Sequence, residues 1–280
     1  MSEIRWAISL LGAISDVPEP APRIEVFGHE ETVARLRAML NAGGEIPHTL
    51  LMGPPGVGKT YLARWVAGEM QRPFYEWMCP VSEPIPEFGV VLLDECHRER
   101  SPEHLFPFMD GRNSVTVTFI GATTRPEKLD AAFRSRFGLQ LRLYPMSEEA
   151  LVQIAIHHGL PEDHAVVFAK ASWGIPRNLK AFIDTAHALG TSDPEQVFPA
   201  CQVTADGIDR DDIELLRAMS RANRPVGLTQ LAALSGMDED EIRGRDRKLV
   251  EAGLIVLRPN GRQITRKGVR YLEEVIGGAS

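Results

Sequence analysis

The sequence predicts an α/β fold with a parallel sheet, then a helical region, then a terminal domain of three helices and a β-hairpin. Up to about residue 145, apolar strand candidates alternate with helical patterns, which is typical of a parallel sheet. After Pro145 no strong strand candidate occurs until about residue 254. Two short strands then surround Pro259-Asn260-Gly261, which is a hairpin signal. Three helices followed by a hairpin are the layout of a winged helix.

Hydrophobic spacing and turn residues place the first elements. Apolar residues recur at helical spacing from Glu30 to Leu40, and Asn41-Ala-Gly-Gly ends that helix. A second helix covers Thr60–Met70, directly after a glycine-rich loop. The predicted strands are His48–Met52, Val90–Asp94 and Ser114–Gly121. Val90–Asp94 is a continuous apolar run that ends in acids, as expected of a central parallel strand.

Composition changes divide the chain into four predicted segments. These are a proline-containing strap at residues 1–25, an α/β domain at 26–145, a helical domain at 146–206 and a winged helix at 207–280. The helices between residues 147 and 190 are followed by a turn-rich stretch from Gly190 to Gly207, which marks the last boundary. The terminal helices are expected at Asp211–Arg221, Leu228–Leu234 and Asp238–Glu251.

The composition excludes several classes of protein. With 280 residues, 44% apolar and 25% charged, the chain is neither disordered, collagen-like nor membrane-spanning. The apolar stretch Trp6–Ile14 is too short to cross a bilayer, and Glu3 argues against a secretory signal. Cys79, Cys96 and Cys201 form no C-x-x-C pair, which indicates a reducing compartment, so we expect a cytoplasmic location.

The net charge of −7 conceals an uneven distribution. Residues 1–206 carry 18 basic and 26 acidic residues, whereas residues 207–280 carry 13 and 12. Within the terminal segment, residues 243–270 hold nine basic residues and two acidic ones. The positive charge that a nucleic-acid partner requires is therefore local.

A phosphate-binding loop is the strongest motif. Gly53-Pro-Pro-Gly-Val-Gly-Lys-Thr60 matches G-x-x-x-x-G-K-[ST] in full, between a predicted strand and a predicted helix. In such a loop, backbone N–H groups close around phosphate oxygens and the helix N-terminus adds its dipole. Lys59 would contact the β- and γ-phosphates, and Thr60 would offer its hydroxyl to Mg²⁺. The predicted nucleotide contacts are Gly53, Pro54, Pro55, Gly56, Val57, Gly58, Lys59, Thr60 and Tyr61.

Acidic and hydroxyl side chains follow the neighbouring strands. Asp94 is placed to hold Mg²⁺, and Glu95 to polarise the attacking water. His97 is expected to be packed or hydrogen-bonded rather than to bind a metal. Past the next strand, Thr124 is the preferred contact to the γ-phosphate, and Thr123 is the alternative.

Two arginines follow this strand. Arg134 and Arg136 lie two residues apart, so on a helix they point to different sides. One of them can project across a subunit boundary and contact the nucleotide of a neighbouring subunit. The spacing alone does not distinguish this role from that of an ordinary surface arginine.

Four segments together resemble an AAA+ ATPase, specifically the RuvB family of Holliday-junction branch-migration motors. They are Gly53–Thr60, Asp94-Glu-Cys-His, Gly121-Ala-Thr-Thr-Arg and Arg134-Ser-Arg-Phe-Gly. The terminal segments around Pro225, Glu251 and Arg258 resemble the family's winged helix, so the likeness covers about residues 23–272. It implies ATP and Mg²⁺ as cofactors, and a homo-oligomeric ring, expected to be a hexamer, that acts in DNA recombination and repair.

The resemblance also implies roles for single residues. The arginine of the Ser-Arg-Phe-Gly turn is Arg136, which would act in trans on the neighbour's ATP. Arg177, in Gly174-Ile-Pro-Arg-Asn, corresponds to a γ-phosphate contact from the helical lid. Phe27 and Gly28 resemble the stretch over the adenine, and Tyr144 a tyrosine near the base.

Two features of the sequence predict the partners: the basic residues of the terminal domain and the short path from His97 to Gly121. Positive residues around the predicted last helix and hairpin are expected to contact duplex or branched DNA, with Arg262 at the tip of the wing. The predicted DNA contacts are Arg243, Arg247, Arg258 and Arg262. The path from His97 to Gly121 is too short for the β-hairpin with which RuvB binds its partner RuvA, so this compact variant is not expected to bind a RuvA-type partner.

The leading hypothesis is therefore an Mg-ATP-driven ring that translocates or branch-migrates DNA. Two alternatives stay open. The first is an AAA+ ATPase that loads a helicase or a clamp onto DNA. The second is an ATP-gated DNA-binding switch without motor activity.

Overall fold

The computed structural model describes residues 18–222 and 224–277, and it divides the chain into two compact units between Tyr144 and Pro145. Of the predicted strap at residues 1–25, residues 1–17 lie outside the described residues, and residues 18–25 have no regular secondary structure. Each unit contains its own buried apolar clusters.

The first unit is a five-stranded parallel sheet with helices, which confirms the predicted fold class. Its strands are β1 (Thr49–Met52), β2 (Phe74–Met78), β3 (Phe88–Asp94), β4 (Thr116–Thr123) and β5 (Leu139–Arg142). Their order in the sheet is β2-β3-β4-β1-β5, and every neighbouring pair is parallel. Its helices are α1 (Glu30–Gly43), α2 (Lys59–Glu69), α3 (Phe106–Met109) and α4 (Ala131–Ser135). Parallel strands end at one edge, so the residues that follow β1, β3 and β4 come together there.

Both faces of this sheet are buried. Alternate residues of β3 enter different clusters, with Val90 and Leu92 on one face and Val91 and Leu93 on the other. Helices and loops cover both faces, which explains why β3 reads as a continuous apolar run instead of an alternating one. The sequence predicts β1, β3 and β4 but not the two edge strands, β2 and β5.

The connection between β3 and β4 is short. Residues 95–115, all of them described, contain two single-turn 3-10 helices, at Cys96–Arg98 and Pro102–His104, and then α3. They contain no β-strand, which confirms that this segment lacks a β-hairpin. The absence of a RuvA-type partner stays a prediction.

The second unit begins with four helices. They are α5 (Glu148–His157), α6 (Glu162–Ala171), α7 (Pro176–Leu189) and α8 (Pro194–Ala200). Phe168, Phe182 and Phe198 pack against one another in their core, with ring centroids 5.2–5.8 Å apart. Helix α8 lies within the stretch predicted to be turns, so that part of the prediction is wrong. Asp193 starts the helix by accepting a hydrogen bond from the N–H of Glu195, and Pro194 has the backbone angle that a first helical residue needs.

The predicted three helices and hairpin are present in the remainder of the second unit. They are α9 (Arg210–Ala222), α10 (Leu228–Ser235), α11 (Glu239–Glu251), β6 (Ile255–Arg258) and β7 (Gly261–Ile264), followed by the unpredicted α12 (Arg266–Gly277). Gly261 belongs to β7 and not to the turn, since it pairs with Arg258 across the hairpin. A Cβ at this position would lie 2.2 Å from the Val226 carbonyl oxygen, so the strand requires glycine there. Among the described residues, no helix has the length and apolar character needed to cross a membrane.

Candidate active site

The loop from Gly53 to Lys59 joins the end of β1 to the start of α2. Gly56 and Gly58 have φ angles of 75° and 106°, in the left-handed region that favours glycine. A Cβ at Gly53 would lie 2.5 Å from the carbonyl oxygen of Leu143, so this position also requires glycine. The backbone path therefore depends on the glycines of the motif, and it presents the N-terminus of α2 at the edge of the sheet where an anion binds favourably.

Lys59 places its ammonium group over this loop. Its side chain is buried, and Nζ donates hydrogen bonds to the carbonyl oxygens of Gly53 and Pro54, both at 2.9 Å. Thr60 follows in the first turn of α2, and Asp94 ends β3. Burial raises the pKa of Asp94, while the nearby charge of Lys59 opposes that shift. A hydroxyl and a carboxylate beside a buried lysine are a donor set that fits a magnesium–nucleotide complex.

Glu95 is directed towards the end of β4 by an unusual backbone conformation. Its φ and ψ angles are 48° and 45°, a left-handed conformation rare outside glycine and frequent at functional sites. One carboxylate oxygen, Oε2, accepts hydrogen bonds from the hydroxyl of Thr124 at 3.0 Å and from its backbone N–H at 3.3 Å. The predicted carboxylate and the preferred threonine are therefore in direct contact.

The side chain of His97 is buried and hydrogen-bonded, as the sequence predicts. Its Nδ1 lies 3.1 Å from Oε2 of Glu95 and 2.9 Å from the hydroxyl oxygen of Thr123, which also accepts from the N–H of Arg125. Burial lowers the pKa of His97 although Glu95 raises it, which favours the neutral form of the imidazole. Thr123 thus contacts His97 and Thr124 contacts Glu95. The sequence signal from which the contact between Glu95 and His97 could have been predicted is their spacing, because they lie only two positions apart.

The residues that precede α1 contact the loop and α2. The hydroxyl of Tyr61 donates to the carbonyl oxygen of Glu25 at 2.7 Å, and Nε2 of His29 lies 2.9 Å from the carbonyl oxygen of Val57. Phe27 and Gly28 lie between these two contacts in the sequence. Tyr144 is 65% exposed and directly follows Leu143, the residue that packs on Gly53. The sequence neighbours of these predicted base contacts, namely Glu25, His29 and Leu143, therefore contact the loop or α2, and the base contacts themselves stay a prediction.

The arginines have different surroundings. Arg134 donates through Nε to Gln140, whereas Arg136, directly after α4, contacts Asp110 and the ring of Phe106. The two side chains therefore have separate partners, as the spacing predicts. Arg177 is an exposed residue in the first turn of α7, in the second unit.

The arginines predicted to contact DNA differ in their exposure and in their ion pairs. Arg243 and Arg258 are exposed, and Arg247 is exposed although its Nε donates to Glu251 at 2.7 Å. Arg262 lies within β7, where it forms an ion pair with Asp246 with an Nε–Oδ1 distance of 3.0 Å. The prediction that Arg262 lies at the tip of the wing is therefore wrong, because the turn consists of Pro259 and Asn260.

Two further basic residues of α11 belong to an internal ion cluster. Arg245 donates to Asp209 at 2.6 Å and to Asp212 at 2.9 Å, and Lys248 pairs with Asp212. Asp212 is fully buried. The basic residues of this helix therefore serve two purposes, since one set stabilises the terminal domain and another faces solvent.

Family models match both units. The model of the RuvB C-terminal winged helix domain matches residues 205–273. The model of the ATPase family associated with various cellular activities (AAA) matches residues 49–84 and 85–144. The first of these two AAA ranges contains the whole loop from Gly53 to Thr60, and the second contains Glu95 and Thr124.

The chain is also similar to whole proteins named Holliday junction branch migration complex subunit RuvB. The protein from Christiangramia forsetii is 31% identical over 89% of this chain and 88% of its own length. The one from Fervidobacterium nodosum is 30% identical over 89% of this chain and 86% of its own length. Among solved structures, the Thermotoga maritima RuvB Holliday junction branch migration motor has a TM-score of 0.76 at 28% identity, over 91% of this chain and 98% of that one.

Proposed function

The chain belongs to the RuvB family of AAA+ ATPases, and we propose that it is an ATP-driven motor that translocates or branch-migrates duplex or branched DNA. The observation that carries this proposal is the contact of Glu95 with Thr124 and His97, at the sheet edge that also holds the glycine loop and Lys59. This arrangement provides both a phosphate-binding loop and an oriented carboxylate. The relatives named above supply the class of substrate, the Holliday junction.

The chain's own residues divide the work of hydrolysis. Lys59 binds the β- and γ-phosphates, and Thr60 and Asp94 would hold Mg²⁺, which neutralises phosphate charge when bound. Glu95 accepts the proton of the attacking water, and His97 together with Thr124 keeps its carboxylate oriented. In this proposal Thr124 also contacts the γ-phosphate when ATP is bound.

The remaining roles in the proposal need a second subunit or the second unit of the chain. In a hexameric ring, Arg136 acts in trans on the neighbour's ATP, and Arg177 couples hydrolysis to movement of a lid formed by residues 146–206. Residues 207–280 bind the DNA backbone through Arg243, Arg247 and Arg258. The separate apolar clusters on either side of residue 206 support this division. We place the reaction in the cytoplasm, in keeping with three unpaired thiols, and without a RuvA-type partner.

Substitution of the carboxylate tests the active site. Glu95→Gln should bind a fluorescent ATP analogue with nearly unchanged affinity and lose about 10²- to 10⁴-fold in kcat, because it cannot accept a proton. Glu87→Gln is the matched control, since Glu87 is exposed and lies just before β3. Normal turnover in Glu95→Gln would show that the carboxylate is wrongly assigned.

Synthetic four-way junctions distinguish the motor from its alternatives. The motor predicts ATPase activity stimulated by the junction and ATP-dependent dissociation of the junction by the purified chain. A loader would hydrolyse ATP without moving the junction until a helicase or a clamp is added. A switch would change its DNA affinity with the bound nucleotide and show no stimulation by DNA.

A further inference from the structure

The guanidinium group of Arg136 is held from three sides within its own subunit. Nε donates to Oδ1 of Asp110 at 3.0 Å, and a second nitrogen donates to Oδ2 at 3.4 Å. The third nitrogen donates to the carbonyl oxygen of Ala132 at 2.7 Å. The group also lies over the ring of Phe106, with Cζ 3.5 Å from the ring centroid. A side chain with this many contacts has one preferred position instead of many.

Two of the residues that contact Arg136, Phe106 and Asp110, come from one short element. Phe106 begins α3 and Asp110 is its C-cap, so the two lie four positions apart on the same side of the turn. The N–H of Asp110 donates to the carbonyl oxygen of Phe106 at 2.8 Å, which fixes the carboxylate relative to the ring. Both belong to the short connection between β3 and β4.

The contacts leave part of the guanidinium available. An arginine has five N–H donors, and within the described part of the chain these contacts use three of them. Asp110 binds the edge that contains Nε, so the terminal nitrogens retain one N–H each. Two such donors are what a bidentate contact with a phosphate needs.

We propose that Asp110, with Phe106, is the positioning residue of the trans-acting Arg136: it fixes the guanidinium so that its two remaining donors meet the γ-phosphate bound by the neighbouring subunit. This inference depends on the proposed ring and on the role of Arg136 in it. Asp110 also pairs with the exposed Arg112, at 3.3 Å, and the role assigned to it is exerted through its contact with Arg136. Fixing the arginine before the reaction removes the need to order it in the transition state.

The first test compares ATPase kinetics in assembled rings. Asp110→Ala should lower kcat about 10- to 100-fold with an unchanged KM for ATP, because a misplaced group costs rate more than ground-state binding. Asp110→Asn keeps the side-chain volume and guards against a folding defect, and it should show a smaller fall. Asp184→Ala is the matched control, since Asp184 is an exposed residue in the ion pair with Lys180 of α7.

Mixed rings supply a readout that a purely structural role would not change. Glu95→Gln subunits cannot hydrolyse their own ATP but carry an intact Arg136 and Asp110. When they are mixed in excess with Asp110→Ala subunits, each Asp110→Ala site receives a well-placed arginine from its neighbour. Its turnover should therefore rise several-fold towards the wild-type value.

The outcomes separate this inference from the proposed function. If Arg136→Ala is inactive and is rescued in mixed rings while both Asp110 variants are fully active, the positioning role is wrong and the trans arginine stands. If Asp110→Ala is impaired but not rescued in mixed rings, Asp110 acts on its own subunit's site and the inference is again overturned. If Arg136→Ala retains full activity, the assignment of the trans arginine itself fails.

Discussion

The nucleotide site and the basic helix α11 use charged side chains in opposite ways. At the sheet edge, Lys59 donates to backbone carbonyl oxygens of its own loop, and Glu95 accepts from the hydroxyl and backbone N–H of Thr124. On α11, Arg245 and Lys248 are paired with three aspartates of the same domain, Asp209, Asp211 and Asp212. A motif thus predicts what a charge does, because it specifies the backbone around it. A count of charges does not, because it cannot distinguish a paired charge from an exposed one.

The largest expected effect is on stability, at Arg245. Among the described residues, Arg245→Met would leave Asp209 and the fully buried Asp212 with only Lys248 as a basic partner. Removal of one partner from a buried ionic cluster costs about 3–5 kcal/mol of unfolding free energy. Urea denaturation followed by circular dichroism measures this loss.

Arg247→Met is the control for that experiment. Arg247 lies on the same helix and is half exposed in its pair with Glu251, and an exposed pair contributes about 0–1 kcal/mol. Equal destabilisation by the two variants would mean that the cluster has no special role, and the contrast between paired and exposed cations on α11 would fail.

The next effect is on turnover, at Thr124. Thr124→Val removes the hydroxyl that donates to Glu95 at 3.0 Å, and hydrogen bonds to charged groups contribute about 1.5–3 kcal/mol. The kcat for ATP should therefore fall about 10- to 100-fold. Thr116→Val, at the exposed opposite end of β4, should leave kcat unchanged. A normal kcat in Thr124→Val would show that the observed contact does not orient the carboxylate during hydrolysis.

A smaller effect is expected on DNA binding. Arg243→Ala and Arg258→Ala should each weaken duplex binding about five- to tenfold and lower the slope of log K against log salt by about 1. Arg247→Ala should have a smaller effect, because Glu251 competes for its guanidinium. Fluorescence anisotropy at several salt concentrations measures both quantities. An unchanged salt slope in all three variants would exclude this face as the DNA contact.

The parts of the fold that could be predicted are those whose signal is local. The glycine loop, Asp94 and Glu95 follow from spacing within a few residues, and β3 and β4 from buried apolar runs. The edge strands β2 and β5 each pair with only one neighbour, and the burial of their residues is incomplete or alternating. Their apolar signal is weak for that physical reason.

The contacts that could not be predicted are those set by tertiary structure. Asp110 and Arg136 are 26 residues apart and meet only because α3 and the end of α4 pack together. Arg262 and Asp246 meet across the hairpin and α11 in the same way. Sequence reasoning identified Arg136 as a trans-acting arginine and Arg262 as a DNA contact, and only the fold supplies the carboxylates that hold them.

The smallest effect is the pH dependence of stability in the ion cluster. Burial raises the pKa of Asp209, but Lys248 and Arg245 outweigh it and lower the pKa to about 2. The unfolded value is about 3.9, so ionised Asp209 stabilises the fold above that pH, and this stabilisation is lost as the pH falls towards 2. Asp212 opposes the change, since burial raises its pKa.

Comparison of the wild type with Asp209→Asn isolates the contribution of Asp209. A difference of about 1.9 pKa units corresponds to about 2.6 kcal/mol, which solvent screening of a side chain that is 32% exposed reduces to about 1 kcal/mol. Unfolding free energies at pH 5 and pH 2.5 should therefore fall more steeply in the wild type than in the variant. Parallel pH profiles would mean that Asp209 is no better paired than a surface carboxylate. The distinction between an internal cluster and an exposed basic face would then rest on Asp212 alone.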